Sequence, residues 1–176
     1  SVTWKQDSNK QEQLTNLKFK KIKLNIINST KYIDQKLKNK LQIYLNRSRY
    51  IINYELSNKK VNFDSIKSFI GNKKFIFSGK IFLDPFNFDV NSSLDSLKLK
   101  KLFLNNLFLK EILSKDFILN DNFNGKIQLN IKKLENNPLF DNLKINANFK
   151  GQTLELSNSI FFNDKIANLI IKKGLI

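Results

Sequence analysis

The chain has 176 residues, a formal net charge of +16, and neither cysteine nor histidine. The length suits one domain or a piece of a longer array, and the missing residue types exclude disulfides, thiol catalysis, an imidazole base and the usual zinc sites. Only Arg47 and Arg49 among the 31 basic residues are arginine, the residue that phosphate and base-edge recognition favours. We therefore assign most of the charge to lysines on solvated strand faces.

No stretch reaches the roughly 18 to 20 uncharged apolar residues that span a bilayer, and the nearest is Leu102 to Leu109 with two asparagines inside it. The chain begins at Ser1 rather than methionine. We expect an excised segment, with any signal peptide or membrane anchor outside it.

Residues 1–16 are polar and predict a mobile leader or the ragged end of a preceding unit. Residues 17–71 predict the N-terminal strands. Leu17 and Phe19, then Ile22, Leu24 and Ile26, alternate with lysine and asparagine, as in a strand with one buried face. The step from 19 to 22 breaks that alternation and predicts a bulge.

Residues 32–46 fit either a helix or a strand, and we favour a strand for the second half. Residues 49–56 and 60–65 predict two further strands. Residues 57–60 between them predict a hairpin turn.

Residues 72–176 predict a β-rich segment. Residues 74–90 form a long β-rich run, in which Pro85 belongs at an edge or a bulge. Residues 97–114 are the best helix candidate, although their apolar positions spread around the wheel. Asn137 and Pro138 predict a cap and a short helical turn, and the alternation around them predicts a β meander over the last third.

A short phrase occurs twice, at Ser78-Gly79-Lys80-Ile81-Phe82-Leu83 and at Asn124-Gly125-Lys126-Ile127-Gln128-Leu129. Such self-similarity is typical of arrays whose units must stack to bury an apolar face. We predict a mainly β, β-rich α+β fold, with a mostly antiparallel sheet of repeated strands and one main helix.

Motifs that carry chemistry are weak. Residues 120–125 imitate the front half of a calcium loop, but the twelfth position is Ile131 instead of glutamate, so an asparagine-rich hairpin turn explains them better. The carboxylates are scattered and predict no acid/base pair. We therefore predict no catalytic residue, no metal ligand, no cofactor and no enzyme activity.

The 16 phenylalanines stand out beside four tyrosines and one tryptophan. Three explanations stay open. The rings form a covered core, they line an open groove for acyl chains, or they stack on bases in a single-stranded nucleic-acid-binding module.

Three groups of motifs lie between about residues 72 and 170. They are Gly79-Lys80-Ile81-x-Leu83-x-Pro85-Phe86, then Leu97-x-Leu99-Lys100-Lys101-Leu102-Phe103, then Phe123-x-Gly125-Lys126-Ile127-x-Leu129 with Pro138-Leu139-Phe140-Asp141-x-Leu143. Together they resemble AsmA-like proteins of Gram-negative envelopes. The first 70 residues show no motif of that family, and the chain is more basic than the family leads us to expect.

The resemblance implies a periplasmic segment, anchored to the inner membrane through a part outside this chain. Its curled sheet would bind or conduct phospholipid or another acyl lipid for outer-membrane assembly and homeostasis. A basic module for single-stranded nucleic acid is the alternative, with nucleic acid the less expected partner. By the resemblance, the lipid-groove candidates are Ile81, Leu83, Phe86, Phe88, Ile127, Leu129, Ile131, Leu143, Ile145 and Phe149.

Overall fold

A computed structural model describes residues 1–7, 12–21, 23–33, 36–98 and 122–175. The chain is mainly β, as predicted, and divides into unit 1 (residues 1–78) and unit 2 (residues 79–176). The described strands are β1 (Val2–Asp7), β2 (Glu12–Phe19), β3 (Leu24–Ile33), β4 (Lys36–Leu45), β5 (Ser48–Ser57), β6 (Lys60–Ser65), β7 (Phe69–Ile70), β8 (Lys73–Leu83), β9 (Phe86–Leu94), β10 (Asn124–Ile131), β11 (Asn142–Lys150), β12 (Thr153–Phe162) and β13 (Leu169–Leu175).

In unit 1, β1 to β6 form consecutive antiparallel pairs, and the first half of β8 follows β6 in the strand order. The two-residue strand β7 pairs with β5 and β8 beyond the end of the short β6. Its side chains continue the sheet where β6 stops. Neighbours in sequence are therefore neighbours in this ladder.

In unit 2, the strand order is the second half of β8, then β9 to β13. The pairs from β10 to β13 are antiparallel, which confirms the predicted meander. The pair between β9 and β10 is parallel, so the sheet is mixed. Parallel neighbours cannot be joined by a tight hairpin turn, and in the sequence these two strands are separated by residues 95–123. Both copies of the repeated phrase are strand segments, one in β8 and one in β10.

The N-terminal residues lie in strands instead of a leader. β1 pairs with β2, which places Val2 opposite Leu17, and the N-terminal ammonium of Ser1 donates a 2.9 Å hydrogen bond to the carbonyl of Lys18. Backbone hydrogen bonds build this ladder, so it needs few apolar side chains. The polar composition was therefore a poor guide to order here.

A turn replaces the bulge that we expected between residues 19 and 22. β2 ends at Phe19, β3 begins at Leu24, and Lys23 in the turn has a φ of 50°. The broken alternation marks a change of strand. By contrast, the predicted hairpin turn at residues 57–60 is confirmed, with positive φ at Asn58 and Lys59.

The predicted helix is not borne out, because the described residues contain no helix. Leu97 forms an isolated bridge with Leu134, and the rest of the candidate from residue 99 onward lies outside the described residues. The division between the units falls at residues 78 and 79, inside β8, seven residues beyond the predicted boundary after 71.

Candidate functional site: the apolar face of unit 1

Apolar side chains of successive strands in unit 1 lie on one face, which we name the open face. The register places Leu17 beside Ile26, Ile26 beside Ile43, and Ile43 beside Tyr50. A strand turns alternate side chains to opposite faces, and directly paired residues share a face. By the same registers, further large apolar members are Phe19, Leu24, Leu41, Leu45, Ile52, Leu56, Val61 and Phe63.

Nothing among the described residues buries the open face. Among residues 1–3, 13–21, 23–32 and 37–78, for which the structure describes burial, no apolar side chain is buried, and the only buried residues are Ser29 and Ser68. Most members of the open face are half-buried, because neighbouring side chains in the same sheet cover part of each one. Leu37 and Leu56 near one end of the strands are about 60% exposed. An apolar strip of this extent that no described residue covers is typical of a binding surface.

Aromatic rings of β5, β6 and β8 form a cluster along one side of the open face. Phe75 and Phe77 of β8 are 5.0 Å apart between ring centroids, and Phe63 lies 6.2 Å from Phe77. Tyr50 meets Phe75 edge-on at 6.3 Å. These separations lie in the favourable range for aromatic pairs. The rings support one another and form a continuous apolar surface.

Polar groups on the open face satisfy one another. The hydroxyl of Tyr54 donates a 2.9 Å hydrogen bond to Oδ1 of Asn28, and Thr30 donates at 2.8 Å to Oδ1 of Asn39. A polar group already paired loses less when water leaves than an unpaired one. These polar side chains of the open face can therefore lie beside an apolar ligand at a small cost in free energy.

All ten groove candidates from the sequence lie in unit 2, where the register aligns those of β9, β10 and β11 on one face. Phe88 lies beside Gly125 and Gly125 beside Phe149, while Ile131 lies beside Leu143. Ile127, Leu129 and Ile145 are half-buried members of the same face, and Ile81 packs against Phe88 and its neighbours.

Much of this second face is covered. Ile131 is fully buried and Leu143 is 2% exposed, and both pack with Leu134 against Phe140 and Phe161. Phe88 and Phe149 are also buried. Only Leu83 and Phe86 of the ten candidates are exposed, at 50% and 38%.

Two segments outside the ladder provide the cover. The ring of Phe123 lies 4.9 Å from Phe88 and 5.4 Å from Phe149. Asn137 accepts backbone hydrogen bonds from Leu139 and Phe140, which is the expected cap, although no helix follows it. The cap holds Phe140 over the Ile131 cluster.

The open face in unit 1 was missed as a site. The sequence indicates this face, because Leu17, Leu24 and Ile26 alternate with polar residues. The groove candidates, however, come from the family motifs, which begin near residue 72 and therefore lie in unit 2. Alternation indicates which side chains share a face. It does not show whether another segment covers that face.

A comparison with protein-family models, with curated proteins and with solved structures finds no match to this chain. Within the described residues there is no helix able to span a bilayer, and no cluster of three acidic side chains that could hold a metal ion.

Proposed function

We propose that the chain is a lipid-binding segment of an AsmA-like envelope protein, which binds or conducts acyl lipid for outer-membrane assembly. The observation that carries this proposal is the open face, a register-aligned apolar surface with no buried apolar side chain among the unit 1 residues whose burial is described. The motif resemblance supports the periplasmic location and an anchor outside this chain. From the resemblance we also propose that the sheet is curled and that its apolar side is concave.

Binding of an acyl chain to this face requires no specific polar contact. Each methylene removed from water contributes about 0.8 kcal/mol, so an acyl chain on a strip of Ile, Leu and Phe side chains gains affinity along its length. The four apolar residues from Leu17 to Tyr50 cross β2, β3, β4 and β5 in one row. Adjacent strands are about 4.8 Å apart, so this row spans about 14 Å, the length of a short acyl chain. In unit 2, Leu83 and Phe86 are the two groove candidates that are exposed.

The test is native mass spectrometry of the purified chain, followed by identification of any bound lipid. The chain offers a matched pair of variants, since Ile26 and Ile52 are on the open face, whereas Ile27 and Ile51 are on the opposite face with Gln42 between them. All four are half-buried β-strand isoleucines.

We expect co-purifying phospholipid, lost in the Ile26→Thr/Ile52→Thr variant and retained in the Ile27→Thr/Ile51→Thr control. Threonine keeps the branched β-carbon and therefore the strand preference. Circular dichroism and thermal unfolding of both variants check that they fold. A lipid-free wild type, or equal loss in the two folded variants, would contradict the proposal.

A second candidate, binding of single-stranded nucleic acid, is favoured by the aromatic group of Tyr50, Phe63, Phe75 and Phe77 in a chain of net charge +16. Bases stack on such rings, and the phosphates would meet lysine. Affinity for an oligothymidylate would then fall steeply with salt. Binding in an apolar groove changes little with salt, so a salt titration separates the two functions.

A further inference from the structure

One end of the unit 1 strands differs from the other in charge. The turns at this end lie within residues 17–25, 44–50 and 65–75, which together contain nine basic residues and no aspartate or glutamate. We name these three segments the basic end. The described residues at the opposite end, 5–7, 12–14, 31–33, 36–38 and 55–62, contain six basic and three acidic residues.

Backbone contacts bring the three segments of the basic end together. The amide of Asn46 donates to the carbonyl of Lys23 at 3.4 Å, which joins the β2–β3 turn to the β4–β5 turn. The amide of Gly71 donates to the hydroxyl of Ser48 at 3.4 Å, which joins the β7–β8 turn to the same place. The positive charges therefore form one patch.

The cations of this patch point mostly into solvent. Lys18, Lys20, Lys21 and Lys23 are exposed, as is Arg47 in the neighbouring turn. Long lysine side chains can reach an anionic surface from there, and each contributes attraction to acidic lipid headgroups.

Apolar side chains lie among these cations. Phe19 is 49% exposed beside the β2–β3 turn, and Ile66 and Ile70 are 44% and 38% exposed around β7. Cations mixed with exposed apolar side chains are typical of surfaces that lie in a membrane interface. Nucleic acid fits less well, because Arg49 already lies over the ring of Phe69 at 5.2 Å and lysine lacks the planar fork that binds phosphate.

We propose that the basic end docks unit 1 on a bilayer that contains anionic phospholipid. The open face reaches this end, because Phe19, Leu24 and Leu45 lie side by side there in register. Docking would place the apolar strip against the headgroups, where an acyl chain enters or leaves it. This orientation rests on the proposed lipid-binding function, whereas the docking itself is measured independently.

The experiment is vesicle flotation with the full chain. One set of vesicles is phosphatidylcholine, and in the other about a third of the lipid is phosphatidylglycerol, a fraction that gives a strongly negative surface potential. The basic-end variant is Lys18→Gln/Lys20→Gln/Lys21→Gln. The control, Lys150→Gln/Lys172→Gln/Lys173→Gln, removes the same charge from exposed lysines of unit 2.

We expect wild-type protein to float only with the anionic vesicles, and added salt to weaken that binding. Each surface lysine changes affinity about fivefold, so the basic-end variant should lose on the order of a hundredfold and the control less than about threefold. If the basic-end variant does not fold, Lys67→Gln/Lys74→Gln tests a different segment of the same patch, with a smaller expected loss.

Equal losses in the two triple variants, or no binding of wild type to anionic vesicles, would overturn the docking proposal. Tighter, salt-sensitive binding of an oligonucleotide that the basic-end variant loses would replace the bilayer with nucleic acid. Native mass spectrometry of the same variant separates the two proposals, because co-purified lipid survives there if only docking is impaired. Vesicle binding by a lipid-free wild type would instead contradict the lipid-binding function alone.

Discussion

In unit 2, apolar side chains of adjacent strands are buried under residues that lie outside the ladder, whereas in unit 1 a similar apolar face has no buried member among the described residues. The difference does not lie in the strands themselves, since both units alternate apolar and polar residues. It lies in the connections. Phe123 and Phe140 stand on connecting segments and pack over the unit 2 face, while the turns of unit 1 are short. Connections therefore decide whether such a face becomes a core or a surface.

The largest expected effect contrasts one isoleucine from each unit. Ile131→Ala should destabilise the protein by about 3 kcal/mol, because it opens a cavity in a closed core. Ile43→Ala on the open face should cost about 1 kcal/mol, because its side chain is only half-buried. Urea unfolding followed by circular dichroism measures both. Equal losses would mean that the open face is part of a closed core.

Gly125 provides a sharper test of packing in unit 2. A β-carbon there would lie 2.5 Å from Cγ of Phe88, so the ring fits only because residue 125 has no side chain. We expect Gly125→Ala to cost about 2 kcal/mol through overpacking. In the control Gly174→Ala the nearest atom is 3.5 Å from the new carbon, and stability should change by less than about 0.5 kcal/mol. Near-ultraviolet circular dichroism reports the aromatic rings, and an unchanged signal with unchanged stability would contradict the tight fit.

The smallest expected difference concerns a hydrogen bond that both units contain, from a strand amide to a buried serine hydroxyl. Ser68 accepts a 2.9 Å hydrogen bond from the amide of Ile51, and Ser159 accepts one of 3.0 Å from the amide of Asn146. Both serines are almost fully buried. Ser68→Ala and Ser159→Ala should each cost about 1 to 2 kcal/mol, because each leaves a strand amide without this acceptor.

Hydrogen exchange at Ile51 and Asn146 checks that the serine substitutions act locally. An exposed hydroxyl, that of Thr153 on the carbonyl of Lys150, is the control, and Thr153→Ala should change stability by less than about 0.5 kcal/mol. A much larger loss at Ser159 than at Ser68 would show that the unit 2 core amplifies the defect.

The sequence predicted the local features well. The turn at residues 57–60 and the meander of β10 to β13 follow from turn residues and alternation, which act between close neighbours. Composition misled at residues 1–16, because the backbone ladder of β1 and β2 does not depend on apolar content.

The candidate site was predicted only in part. Alternation identified which residues of β10 and β11 share a face, and the register confirms that Ile127, Leu129 and Ile131 do. Whether that face is covered depends on Phe123 and Phe140, which lie outside the strands and reach it through the tertiary fold. No periodicity within a single strand carries that information. That these residues contact lipid stays a prediction.

The parallel pair of β9 and β10 also has a consequence for the order of folding. Asn87 lies beside Asn124, so this pair closes a span of 37 residues, whereas Ser57 and Lys60 close a two-residue turn. The entropy lost in closing a loop grows with its length, and contacts between distant residues slow folding. Unit 1 can form one hairpin after another, each starting from its own turn. Unit 2 cannot complete its core until two distant segments of the chain have met, so its formation is expected to limit the rate at which the chain becomes fully native.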